Sequence, residues 1–137
     1  MNMKRLSPLA FKTTNGEIVK PNWQVTVATI FVFLHDGHCF ACKQVCQQFS
    51  EWQNQFAEWD AKVWLVWRGD FVPEGCQGVL EVEKARQNWL GEDSAGVLIV
   101  DRYGIVASSW LATSWKGFPP PDEVLSTVKQ IALQCPE

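Results

Sequence analysis

Residues 25–34 are apolar at nearly every position and rich in β-branched and aromatic types. That is the pattern of a central strand covered on both sides. From about Phe40 the period changes to 3.6. Val45, Phe49, Trp52 and Phe56 recur on one side, and Gln47, Gln48, Glu51, Asn54 and Gln55 take the other. This predicts an amphipathic helix that ends at Asp60-Ala61. Before the strand, residues 9–13 and 18–21 flank Asn15-Gly16, the signal of a type I′ hairpin. After the helix, 63–67 reads as a short apolar strand and 71–78 as a loop with Pro73, Gly75 and Gly78. Residues 80–90 read as a helix with Leu80, Val82, Ala85 and Trp89 inward, stopped by Gly91. Then 97–100 is a strand, Asp101-Arg102-Tyr103-Gly104 a turn, and 105–111 the returning strand. Pro119-Pro120-Pro121-Asp122 opens a last helix striped by Val124, Leu125, Val128, Ile131 and Ala132, with Asp122 as its cap.

The order β-β, β-α-β-α-β-β-α predicts one α/β domain over 1–137. Its expected build is a central mixed β-sheet flanked by helices, with an N-terminal β-hairpin extension. A chain of 137 residues buries roughly two-thirds of its unfolded surface, enough for a full core. The net charge of −3 is spread along the chain. No nucleic-acid partner is therefore expected, since that needs clustered Lys and Arg. The most apolar run is half the length of a membrane span, so no membrane partner is expected either. Ser7-Pro8 follows the basic start where a secretory leader would turn apolar. The expected compartment is cytoplasmic and reducing. Of the eight tryptophans, Trp64 and Trp67 read as packing, and Trp110 and Trp115 as packing or an exposed recognition patch.

The five cysteines narrow the chemistry. Cys39, Cys42 and Cys46 fall within eight residues, while Cys76 and Cys135 stand alone. In a reducing compartment such clustering means redox or metal chemistry before structural bridging. Cys39-Phe40-Ala41-Cys42 sits where the buried strand gives way to the helix. Unpaired backbone N–H groups at the helix start stabilise a thiolate at the first cysteine. The second lies one turn inward and can displace a mixed disulfide. Cys39 is the expected nucleophile and Cys42 the resolver. Both histidines of the chain, His35 and His38, precede Cys39 within four residues. An imidazolium there would stabilise its thiolate and improve it as a leaving group. His38, the immediate neighbour, is the first candidate and His35 the second; the alternative is that both are turn residues. Cys46 is either a small buried hydrophobe or a third thiol that exchanges with Cys42. Cys76 is a lone loop cysteine or a distal resolving thiol.

Phe31-Val32-Phe33-Leu34 followed by His38-Cys39-Phe40-Ala41-Cys42-Lys43 resembles the strand and CxxCK site of thioredoxins. The hairpin at 11–19 and the segment from Gly96 to Val106 resemble the peroxiredoxin and TlpA-like (AhpC/TSA-type) branch of that superfamily. The resemblance implies a thioredoxin-like fold and a redox-active disulfide with no other cofactor. It implies a protein or small-molecule disulfide or thiol as substrate, and a thiol reductant as partner. The substrate groove would lie at Phe40, Ala95 and Gly96. Two departures stand out. Ser94-Ala95-Gly96 occupies the place of the family's cis-proline, and Phe33 the place of its buried proton-accepting Asp. Peroxiredoxins carry Pro and Thr or Ser at set distances before their cysteine; Asp36 and Val32 stand there instead. Arg68, Arg86 and Arg102 read as surface charges rather than the catalytic arginine of peroxidases.

Four functions are thus in play. The first is a thiol-disulfide oxidoreductase using Cys39 and Cys42. The second is a zinc- or copper-binding protein drawing on His35, His38, Cys39, Cys42 and Cys46. The third is a peroxiredoxin-like thiol peroxidase with Cys39 as reactive thiol. The last is a redox-inert partner-binding module.

Overall fold

The computed structural model describes residues 9–82, 95–112 and 118–134. The strands are β1 (Phe11–Lys12), β2 (Ile18–Val19), β3 (Ala28–Phe33), β4 (Ala61–Trp67), β5 (Val79–Glu81), β6 (Ala95–Asp101) and β7 (Val106–Ala112). The helices are α1 (Phe40–Glu51), α2 (Gln53–Glu58) and α3 (Pro121–Gln134). The described strands join into one mixed sheet in the order β2-β1-β5-β4-β3-β6-β7. β4 runs parallel to β3 and β5 parallel to β4, while β6 and β7 follow antiparallel. This is the expected mixed sheet, flanked by helices and extended by an N-terminal hairpin.

β3 is buried at every position. Its alternation sends Ile30 and Val32 to one face and Phe31 and Phe33 to the other. β4 does the same, with Val63, Leu65 and Trp67 on the first face and Trp64 and Val66 on the second. Two covered faces explain why both strands read as near-continuous apolar runs. On the first face α1 and α2 contribute Val45, Phe49 and Phe56, and α3 contributes Val124, Leu125 and Val128. On the second lie Leu9, Phe11, Val79, Leu98 and Val100.

Four local expectations need adjustment. The first hairpin closes with a three-residue loop instead of a type I′ pair. Thr13 N donates to Glu17 O at 2.8 Å and Gly16 N to Thr13 O at 3.0 Å. Gly16 alone takes a positive φ, 92°, which is the type I turn with a glycine bulge. The first helix breaks at Trp52, which caps both halves. Phe49 and Phe56 still stack across the break, with ring centroids 6.2 Å apart. Residues 23–25 form a 3₁₀ turn capped by Asn22 rather than the start of β3.

The fourth adjustment is at 80–90. Val79–Glu81 is a strand between β1 and β4, not the start of a helix. Three residues carry no period, and two open strand edges decide their conformation. The rest of that span, from 83, lies outside the described residues, as do Arg86, Ser94, Trp115 and Cys135. The turn at 101–104 forms as expected: Asp101 Oδ1 accepts from Tyr103 N at 2.8 Å and Ile105 N at 3.1 Å. Asp122 sits one residue inside α3, behind Pro121 at its first position.

Candidate active site

The site grows out of the end of β3. Leu34 N donates to Val66 O at 2.7 Å and Arg68 N to His35 O at 3.2 Å. These bonds carry the parallel pairing past the strand and hold His35 in place. Asp36 then builds the turn. Its Oδ1 accepts from His38 N at 2.9 Å and its carbonyl from Cys39 N at 3.2 Å. Gly37 is buried under Phe71. A Cβ at Gly37 would lie 2.5 Å from Cε2 of that ring, so a larger residue there would push the Phe71 ring aside.

Cys39 is the N-cap of α1. Its backbone is extended, and its Sγ accepts from Cys42 N at 3.4 Å. The free N–H groups of the first turn thus face a half-buried sulfur. Cys42 is fully buried. Its Sγ accepts from His35 N at 3.3 Å and lies 3.4 Å from His35 Nδ1. The Sγ of Cys39 is 3.8 Å from the same ring nitrogen. Both cysteines are thiols, and the two sulfurs and the imidazole nitrogen fall within 4.8 Å of one another.

The histidine at the thiols is therefore His35, four residues from Cys39, and not its neighbour His38. The turn points His38 outward, where its exposed ring meets Phe71 edge-on at 5.2 Å. Neither His38 nor Cys46 belongs to the His35, Cys39 and Cys42 cluster. A metal set drawing on all five residues is not assembled. Phe33 points into the opposite core layer and stacks on Phe31. Beside Cys42 lies the imidazole of His35.

Of the groove residues, Phe40 is 71% exposed between the two cysteines. Ala95 and Gly96 are buried in β6, Gly96 paired with both β3 and β7 and Ala95 with β7, and they offer no exposed side-chain surface. Arg68 is half-buried and joined through its backbone to His35, so it flanks the site instead of lying free on the surface. Trp110 is half-buried against the helix-side core.

Cys46 is buried and donates to Gln77 O at 3.3 Å, an oxygen that also accepts from Trp67 Nε1 at 3.0 Å. Burial, the largest influence, pushes its thiol up to about 11. Phe71, Gln77 and the role of Gly37 went unmarked in the sequence. Gly37 in a polar turn was the one available signal.

No described helix is long and apolar enough to cross a membrane. No protein-family model matches the chain. No curated protein sequence matches it either. Solved structures do. A thioredoxin-family thiol:disulfide interchange protein from Chlorobium tepidum superposes with a TM-score of 0.71 at 12% identity, covering 96% of this chain and 98% of that one. A peroxiredoxin-like protein from Aquifex aeolicus gives 0.72 at 15% identity, covering 94% and 86%. Peroxiredoxin Q from Xanthomonas campestris gives 0.70 at 15% identity, covering 96% and 97%. The chain has the thioredoxin-like fold that these proteins share.

Proposed function

We propose, on the premise of that thioredoxin-like fold, that the chain is a thiol-disulfide oxidoreductase working through Cys39 and Cys42. The single observation that carries the reading is the three-atom cluster of Cys39 Sγ, Cys42 Sγ and His35 Nδ1 within 4.8 Å at the start of α1. Cys39 is the half-buried sulfur of the two and attacks a protein or small-molecule disulfide. One substrate sulfur leaves as thiol, and the other stays bonded to Cys39. His35 Nδ1 takes the proton of Cys42, whose thiolate attacks Cys39 Sγ; the second substrate sulfur is expelled, recovers that proton from His35 and leaves as thiol. The product is a Cys39–Cys42 disulfide, which a thiol reductant reopens by the reverse exchange. Phe40 gives the partner an apolar contact beside the sulfurs. The same reading places the chain in the cytoplasm, where both cysteines rest reduced.

A redox titration in glutathione buffers tests this, with the bridge mapped by mass spectrometry. One internal Cys39–Cys42 bridge per chain is expected, with a single midpoint. Cys39 and Cys42 remaining unbridged across the whole range would overturn the proposal.

One observation favours a second reading. The same cluster is three donors of the soft and borderline kind that suit copper(I) or zinc. Cys39, Cys42 and His35 would then be ligands. Protein purified without chelator would carry about one metal per chain by elemental analysis, lost in the Cys42→Ser variant. Metal far below one equivalent sinks this reading and leaves the redox reading untouched.

A further inference from the structure

Cys46 and Cys76 are thirty positions apart in the sequence, and the fold brings them together. The Sγ of Cys46 donates to the carbonyl of Gln77, the residue next to Cys76. The neighbouring Cys76 thiol adds to the upward push that burial exerts on Cys46. Cys76 packs against the same core cluster that holds Cys46. Its loop is pinned there by a turn, with Cys76 N donating to Pro73 O at 3.0 Å. Gly75 supplies the positive φ of 82° that the turn uses. Cys46 lies outside the group formed by His35, Cys39 and Cys42. Two separate thiol sites therefore lie along α1, one at its start and one a turn further in.

We propose that Cys46 and Cys76 are a second dithiol couple, which closes to a disulfide by exchange with a small-molecule disulfide and ties α1 to the loop between β4 and β5. Burial sets the order of events. Cys76 is half-buried and Cys46 is fully buried, so the reagent meets Cys76 first. The Cys76 thiolate attacks one sulfur of the reagent, forming a mixed disulfide. The other half leaves as a thiolate and takes up the proton that Cys76 lost. Cys46 then gives up its proton and attacks Cys76 Sγ. The second half of the reagent leaves as thiol with that proton. Two cysteine thiols are oxidised and one reagent disulfide is reduced to two thiols. The raised value of Cys46, about 11, makes the closing step the slower one at neutral pH. The bridge would fix the loop that also carries Phe71, the ring over Gly37 and His38.

The inference does not depend on the Cys39–Cys42 reading, and trypsin separates the two. Cleavage after Lys12, Lys43, Lys62, Arg68, Lys84 and Lys129 puts Cys39 and Cys42 in peptide 13–43, Cys46 in 44–62, Cys76 in 69–84 and Cys135 in 130–137. The native chain is equilibrated with reduced and oxidised glutathione, quenched in acid, unfolded, alkylated and digested. Peptides 44–62 and 69–84 are expected as a linked pair, rising to one per chain. Cys76→Ser removes that pair and leaves the midpoint of the internal 13–43 bridge within about twofold in glutathione ratio. The proposal is overturned if Cys76 accumulates as a stable glutathione adduct while Cys46 stays alkylatable. It is equally overturned if 44–62 is found linked to 13–43. Failure of the first reading would show instead as a missing internal bridge in 13–43.

Discussion

Cys39→Ser is expected to abolish disulfide turnover, by roughly a thousandfold or more, because the attacking sulfur has no substitute. Cys42 is fully buried and cannot meet a protein disulfide directly. Cys42→Ser is expected to behave differently. Attack by Cys39 still occurs, but the mixed disulfide has no resolver and accumulates toward one per chain, visible as a mass adduct. His35→Ala tests the third member of the cluster. Its ring nitrogen is 3.4 Å from Cys42 Sγ, so its loss should slow turnover by about tenfold to a hundredfold. His38→Ala should change turnover less than about twofold, since its ring contacts Phe71 and not the sulfurs. Insulin reduction or a small chromogenic disulfide reads all four variants. Undiminished turnover in Cys39→Ser would end the oxidoreductase reading. A larger effect at His38 than at His35 would end the role given to His35.

The second large effect is structural. Gly96→Ala is expected to destabilise the protein by about 3 kcal/mol or more. Gly96 sits in β6 with Phe33 of β3 on one side and Leu111 of β7 on the other. An added Cβ would fall far inside the van der Waals surface of the Trp110 carbonyl oxygen, and 3.3 Å from Leu111 Cα. The clash is with backbone held in a ladder, so no side-chain rotation relieves it. For a chain of this size the loss corresponds to roughly 10 °C in Tm. Thermal unfolding followed by circular dichroism measures it. A shift under about 2 °C would mean that β6 and β7 part at little cost. Gly96 is thus a packing glycine next to the site, and its substitution tests the sheet rather than substrate binding.

The central elements were legible because their signals are local. Ala28–Phe33 and Ala61–Trp67 are apolar on both faces, as strands covered on both sides must be. Val45, Phe49 and Phe56 repeat at the helical period and are buried together. The position of Cys39 at the junction followed from where one period stopped and the other began. The break at Trp52 was not legible, because the apolar repeat runs through it unchanged. The strand at Val79–Glu81 was not legible either. Its conformation comes from the edges of β1 and β4, which lie far off in sequence.

The candidate site divides along the same line. Spacing alone places two cysteines at the first turn of a helix, since a turn is a local structure and its N-terminus follows from the sequence period. Which histidine reaches them is a matter of direction. Asp36 closes a turn that sends His38 out to Phe71, while pairing with β4 holds His35 beside Cys42. The arrival of the Cys76 loop at Cys46, and the packing that makes Gly96 a glycine, depend on segments brought together across the fold. Periodicity along a chain encodes which face of an element is buried. It does not encode which distant residue arrives at that face, and the chemistry of the thiols here rests on those arrivals.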